Sequence, residues 1–66
     1  MEIIVNGEPC TIEPMSVLHY LHCLELDPLR VAVELNLDIL PKAQYESTRL
    51  NAGDKLEIVH FVGGGE

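Results

Sequence analysis

One segment of this 66-residue chain has the apolar spacing of a helix, and segments of alternating apolar and polar residues lie on both sides of it. The helical spacing falls between Ser16, the predicted N-cap, and Asp27. Pro28 ends the pattern, because the residue before a proline avoids helical backbone angles. A single helix between two groups of strands must cross one face of the sheet that the strands form. That face is expected to hold the core, and the opposite face to lie open to solvent.

Alternation of apolar and polar residues predicts the strands. They are expected at residues 1–6, 9–13, 31–35, 39–40 and 55–62. Asn6 and Gly7 predict a type I′ hairpin turn, since both central residues of that turn need positive φ. Asp54 is expected to close a second turn. Residues 43–48 have no clear period and are expected to form a loop with at most one helical turn.

These elements predict an α+β fold, in which a mixed sheet of four to five strands has one helix packed across one face. The length allows one domain, which we place at residues 1–62, followed by a flexible C-terminal glycine tail at 63–66. The sheet is expected to contribute Ile3, Val5, Cys10, Ile12, Val31, Val33, Leu56 and Ile58 to the core, and the helix Val17, Leu18, Leu21 and Leu24.

The charge of the chain limits its partners. Four basic and 11 acidic residues give a net charge of −7, and no two basic residues are adjacent. Nucleic acids and anionic membranes are therefore unfavourable partners, and a protein with a basic face is favoured. No apolar run reaches the roughly 18 residues of a membrane span, and no secretory signal is visible. With only Cys10 and Cys23 as thiols, we expect a cytoplasmic protein with reduced cysteines.

The sequence contains no pattern typical of a catalytic or cofactor site. It has no Ser/His/Asp set, no paired carboxylates for acid–base chemistry and no glycine loop that opens a helix to bind phosphate. His19, His22 and Cys23 share the polar side of the predicted helix, but a fourth zinc ligand is not evident. We therefore predict no metal site, no bound cofactor and no enzymatic activity.

Six segments give the chain a family resemblance. They are residues 5–8, 31–36, 39–42, 50–54, 57–59 and 62–65, and they are distributed along nearly the whole chain in family order. With these segments the chain resembles the ubiquitin-like sulfur carriers, and within them the sulfur-carrier family of thiamine biosynthesis, ThiS. The resemblance implies the ubiquitin-like β-grasp fold and a carrier role.

The resemblance also implies the chemistry and the partners. An activating enzyme adenylates the C-terminal glycine with ATP, a sulfur-donor enzyme supplies sulfur to form a thiocarboxylate, and thiazole synthase receives that sulfur for the thiazole ring. Carried over, Gly65 is the acceptor, and Gly63 and Gly64 belong to the slim arm. Glu66 departs from the family, which ends at the glycine pair. Tyr45 stands where a tryptophan is common, and we expect the same packing role with its hydroxyl free to reach solvent.

Three apolar residues are candidates for partner docking. Val59 and Phe61 are expected on the sheet face away from the helix, and Ile4 on the same face of the first strand, where an exposed apolar patch would suit a protein partner. The chain itself is expected to be a monomer. Two alternatives stay open from the sequence. One is a related sulfur carrier, such as the small subunit of molybdopterin synthase or a carrier for tRNA thiolation or cysteine synthesis; the other is a ubiquitin-like interaction module.

Overall fold

A mixed five-stranded sheet and one α-helix make up the protein in a computed structural model that describes residues 1–61. The strands are β1 (Glu2–Val5), β2 (Glu8–Thr11), β3 (Val31–Leu35), β4 (Asp38–Leu40) and β5 (Lys55–His60), and the helix is α1 (Val17–Cys23). Two short 3₁₀ turns cover Pro28–Arg30 and Lys42–Gln44. The sheet order is β2-β1-β5-β3-β4, with β1 and β5 parallel and the other neighbours antiparallel. The predicted mixed sheet with one crossing helix is confirmed.

The hairpin between β1 and β2 turns where the sequence predicted it. Asn6 and Gly7 have φ values of 49° and 84°, as a type I′ turn requires. Asn6 has a second role that its sequence does not reveal. Its side-chain Oδ1 accepts from the amide of Ile58 at 2.7 Å, and its Nδ2 donates to the Ile58 carbonyl at 3.3 Å. The Asn6 amide group thus continues the β1–β5 pairing beyond the end of β1.

The helix begins as predicted and ends earlier. Ser16 caps it, with the Ser16 hydroxyl accepting from the His19 amide at 3.0 Å. At the other end, the amide of Glu25 donates to the carbonyl of His22, and the amide of Leu26 to that of Leu21. These two bonds define a Schellman motif, with Glu25 at φ 60° in the position that glycine usually occupies. The helix therefore ends at Cys23, and Pro28 is not the residue that ends it.

The early end of the helix explains one wrong core prediction. Leu24 is the C-cap residue and is 42% exposed, so it does not belong to the core. The other predicted core residues, from both the sheet and the helix, are buried in the core or half-buried against it. Three further residues are buried that the apolar periodicity did not predict as core, namely Tyr20, Tyr45 and Leu50.

The loop after β4 brings two of these unpredicted residues into the core. The amides of Val17 and Leu18 in the first turn of the helix donate to the carbonyls of Thr48 and Tyr45, so the loop satisfies helix donors that lack a partner within the helix. Tyr45 packs as predicted, but the prediction for its hydroxyl is wrong. It is buried and donates to the Val31 carbonyl at 3.2 Å.

Asp54 closes the predicted turn before β5. One carboxylate oxygen accepts from the amide of Asn51 at 2.7 Å, and the other accepts from the side chain of Asn36 at 3.0 Å. Asn36 in turn accepts from the Lys55 amide through its side-chain oxygen at 2.9 Å. The β3–β4 turn and the start of β5 are thus held together. Within residues 1–61, no helix is long and apolar enough to cross a membrane.

Candidate docking site on the open sheet face

Val59 presents an apolar side chain on the sheet face that the helix leaves uncovered. Its neighbours Ile58 and Leu56 face the core side, and the register places Val59 beside Ala32 of β3. Val59 is 59% exposed. Phe61 follows β5 directly, and its amide donates to the Arg30 carbonyl at 2.9 Å, which extends the β3–β5 pairing by one residue. The Phe61 side chain is 50% exposed. The end of β5 therefore carries two accessible apolar groups.

Ile4 lies on the open face but apart from these two residues. The parallel register pairs Ile4 with Lys55, four positions before Val59 along β5. At about 3.3 Å per residue, this separation is roughly 13 Å along the strand. Ile4 is also half-buried. The structure thus brings Val59 and Phe61 together and leaves Ile4 as a separate apolar position. We call Val59 and Phe61 the strand-end patch.

A lysine packs beside the strand-end patch. The Lys42 ammonium nitrogen lies 5.7 Å from the centroid of the Phe61 ring and 5.9 Å from that of the Tyr45 ring. It also donates to the Val31 carbonyl at 2.8 Å. Burial raises the pKa of the Tyr45 hydroxyl, which stays neutral beside the ammonium group at physiological pH.

Two carboxylates face solvent next to each other on the same sheet face. The register of β3 and β5 pairs Glu34 directly with Glu57, and both side chains are exposed. Within residues 1–61, neither carboxylate has a salt bridge or a hydrogen bond; Arg30 and Asp27 form the one ion pair found there. Like charges in this position repel each other. The open face is therefore acidic beside its apolar end.

Cys10 of β2 and the cysteine and histidines of the helix do not form a metal centre in the described structure. Cys10 and Cys23 are free thiols, and Cys10 Sγ lies 3.5 Å from the hydroxyl of Tyr20. Burial and the nearby Cys10 raise the pKa of Tyr20 to about 12. Within residues 1–61, no three His, Cys, Asp or Glu side chains come together as metal ligands.

The model of the ThiS family matches residues 3–65. This chain belongs to the ThiS family. The match includes Gly63, Gly64 and Gly65, which lie outside the described residues, as does Glu66. The predicted roles of the three glycines and of Glu66 therefore remain predictions.

Similar proteins and structures agree with ThiS membership. The chain is 46% identical over 41 residues to the sulfur carrier protein ThiS of Bacillus subtilis, which covers 62% of each chain. It is 47% identical over 66 residues to a thiazole synthase of Paramagnetospirillum magneticum, covering 98% of this chain and 20% of that protein. This chain thus spans about a fifth of the length of that relative. The crystal structure of a thiamine biosynthesis protein, ThiS, from Geobacter metallireducens superposes with a TM-score of 0.84 at 35% identity, covering 98% of this chain and all of that one.

Sequence reasoning missed other exposed apolar residues of this ThiS-family chain. Ile39 is 78% exposed and pairs with Glu34, so it lies on the open face. Leu37 and Leu29 are 79% and 75% exposed. The alternation within β4 was a usable signal for Ile39, because its neighbour Leu40 faces the core. For Leu29, the isolated position before Arg30 gave no periodic signal.

Proposed function

We propose that this chain carries sulfur for thiamine biosynthesis as a thiocarboxylate on Gly65. The observation that carries the proposal is the match to the ThiS family, which begins in β1 and runs to residue 65. The chain therefore shares both the fold and the glycine end with that family. The name of the Bacillus subtilis relative, sulfur carrier protein ThiS, agrees with this role.

The proposed reaction takes place on the carboxylate of Gly65. That carboxylate attacks the α-phosphate of ATP in an activating enzyme, and pyrophosphate leaves. Hydrosulfide delivered by a sulfur-donor enzyme then attacks the acyl carbon, AMP leaves with the C–O electron pair, and loss of the S–H proton leaves the thiocarboxylate. Residues 63–65 are all glycine, so no Cβ obstructs approach to the acyl carbon. In this scheme ATP is bound by the activating enzyme, and the carrier is a substrate that contributes no catalytic residue.

Thiazole synthase is the proposed recipient of the sulfur. In the relatives from Paramagnetospirillum magneticum and Magnetococcus marinus, about a fifth of a protein named thiazole synthase matches this chain. A carrier-like segment and that enzyme thus share one polypeptide there. We infer that this chain binds a thiazole synthase in the same pathway, as a monomer and in the cytoplasm, where ATP is available.

The strand-end patch is the proposed docking surface for these enzymes. Val59 and Phe61 are accessible and lie four and two positions before Gly63, so a protein bound to them lies near the reacting end. Ile4 adds a second, separate apolar contact on the same face. The acidic residues around the patch favour a partner with basic groups.

Glu66 adds a processing step to the proposal. In the 66-residue chain, the carboxylate of Gly65 is in a peptide bond to Glu66. Adenylation of Gly65 needs a free carboxylate on that residue, so the peptide bond between Gly65 and Glu66 must be broken first. We infer that Glu66 is removed before adenylation.

The test compares two forms of the chain, one ending at Gly65 and one at Glu66. Each is incubated with activating enzyme, ATP and the sulfur donor, and its intact mass is measured. We expect the form ending at Gly65 to gain the mass difference between one sulfur and one oxygen, and the form ending at Glu66 to stay unchanged. No gain in either form would contradict the carrier role and favour an interaction module. Equal gains would contradict only the processing step.

A further inference from the structure

Lys42 links the core to the last residue that the structure describes. It follows β4 and begins the 3₁₀ turn Lys42–Gln44. Its ammonium nitrogen lies 5.7 Å from the Phe61 ring centroid and 5.9 Å from the Tyr45 ring centroid. Both distances are within the roughly 6 Å of a cation–π contact. The charge of Lys42 thus lies close to one buried ring and to one ring at the start of the glycine-containing segment.

The position of this ammonium group is fixed by a third contact. Lys42 Nζ donates to the Val31 carbonyl at 2.8 Å, and the Tyr45 hydroxyl donates to the same carbonyl at 3.2 Å. Val31 is fully buried in β3 and pairs with His60 at the end of β5. A solvated lysine side chain otherwise samples many rotamers. Its three partners therefore place the charge at one point beside the end of β5.

Phe61 is held on two sides. Its backbone amide bonds to the Arg30 carbonyl at 2.9 Å, and its ring lies against Lys42. Residues 62–65, which connect Phe61 to the acceptor carboxylate, span at most about 14 Å when fully extended. A shift of Phe61 by a few ångströms is therefore a large fraction of the distance that these residues can cover.

We propose that Lys42 is a positioning residue of the carrier. By holding the Phe61 ring, it fixes the point from which residues 62–65 extend into the activating enzyme. A fixed starting point lowers the conformational entropy that is lost when the glycine segment enters the enzyme. This inference rests on the proposed function. It concerns the placement of Gly65 in the activating enzyme, whereas binding to that enzyme is assigned to the apolar side chains of the strand-end patch.

The test measures adenylation of three variants, as pyrophosphate release at varied carrier concentration, in whichever C-terminal form the enzyme accepts. We expect Lys42→Met to lower kcat about two- to fivefold, the effect of losing a cation–π contact at an exposed site, with little change in KM. Lys42→Arg should retain most of kcat, because a guanidinium group also stacks on rings and donates to carbonyls. Arg49→Met removes an exposed positive charge elsewhere and should leave kcat unchanged.

A double-mutant cycle with Phe61→Leu separates this role from a merely structural one. Phe61→Leu keeps an apolar group but removes the ring, and it should lower kcat by a similar factor. Adding Lys42→Met to Phe61→Leu should cause no further loss. Amide exchange at Phe61 should be faster in Lys42→Met, with exchange at Ile58 unchanged. If Lys42→Met does not fold, the proposal is tested by Phe61→Leu alone, and a wild-type kcat in Phe61→Leu overturns it.

Two outcomes contradict the inference at different levels. If the wild-type chain is adenylated and the two substitutions are additive, or if Lys42→Met has wild-type kcat, the positioning role is wrong and the proposed function stands. If neither C-terminal form of the wild-type chain is adenylated, the proposed function fails, and the positioning role fails with it.

Discussion

Some non-glycine residues of this chain adopt the left-handed backbone conformation, which most side chains disfavour. Within residues 1–61, the non-glycine residues with positive φ are Asn6, Glu25, Asn36 and Leu37. Asparagine tolerates this region, whereas glutamate and leucine do so at a cost. Glu25 occupies the position after the helix C-cap, where the two Schellman hydrogen bonds require the left-handed conformation. This chain therefore tolerates strain at a site where glycine would relieve it.

Replacing Glu25 with glycine should stabilise the protein. Glycine removes the Cβ clash at φ 60°, and the net gain after the entropy cost of glycine in the unfolded chain is about 1 kcal/mol. For a domain of this size, that corresponds to a rise in Tm of roughly 4–8 °C. Glu25→Ala is the matched control, because it removes the same carboxylate and keeps the Cβ. Equal Tm values for the glycine and alanine variants would contradict the strain argument.

Tyr20 should make the protein sensitive to alkaline pH. Burial raises its pKa to about 12 in the folded state from an ordinary value of 10.0. The folded state holds the proton more tightly than the unfolded state, so the stabilisation is complete below pH 10 and is lost as pH rises towards 12. Urea midpoints measured from pH 8 to pH 12 should fall over this window, and less steeply for Tyr20→Phe. Parallel falls in both proteins would assign the effect to other groups, such as Tyr45.

At the scale of elements, most of the fold could be predicted from local patterns. The strands, the Asn6–Gly7 turn and the Ser16 cap each depend on neighbouring residues, and the structure has them near the predicted positions. The helix end and the loop over the helix could not be predicted in this way. A Schellman motif is usually signalled by glycine, and this chain has Glu25 at that position. Tyr45 is held in the core by a backbone hydrogen bond from Leu18, which lies 27 residues earlier in the sequence.

The candidate site could be predicted only in part, because some of its features depend on contacts between residues that are far apart in the sequence. Alternation along β5 was enough to place Val59 on the open face. The separation of Ile4 from Val59 depends on the parallel register of β1 and β5, which a sequence pattern does not specify. The contact between Lys42 and Phe61 likewise depends on the path of the chain after β4.

Pairing of β3 with β5 places Glu34 opposite Glu57, and relieving this repulsion should stabilise the sheet. Glu34→Lys turns a like-charge cross-strand pair into an opposite-charge pair, which should raise the free energy of unfolding by about 1 kcal/mol at low salt. The free energy of unfolding of each variant is measured by urea denaturation. Glu13→Lys, in an exposed loop, changes the net charge equally and serves as control. An equal gain in both variants would show that overall charge, and not the pair, is responsible.

The whole molecule combines a net charge of −7 with a small apolar patch at one end of its sheet. These two features act at different distances. Overall charge attracts a basic partner from a distance of about a Debye length, roughly 10 Å at 0.1 M salt, whereas Val59 contributes only when the surfaces touch. Association rate and complex lifetime should therefore respond to different changes in the carrier.

Surface plasmon resonance with immobilised activating enzyme or thiazole synthase can separate the two contributions. Raising salt from about 0.05 to 0.5 M should slow association strongly and change dissociation little, because steering is screened and apolar contact is not. Val59→Asp should speed dissociation by about tenfold or more, since it places an unpaired carboxylate in the interface. Leu37→Asp likewise replaces an exposed apolar side chain with aspartate, away from the end of β5, and this variant should dissociate like wild type. If both aspartate variants dissociate at the wild-type rate while remaining folded, docking does not use the end of β5. If both dissociate faster, the added charge is responsible and the contact assigned to Val59 is wrong.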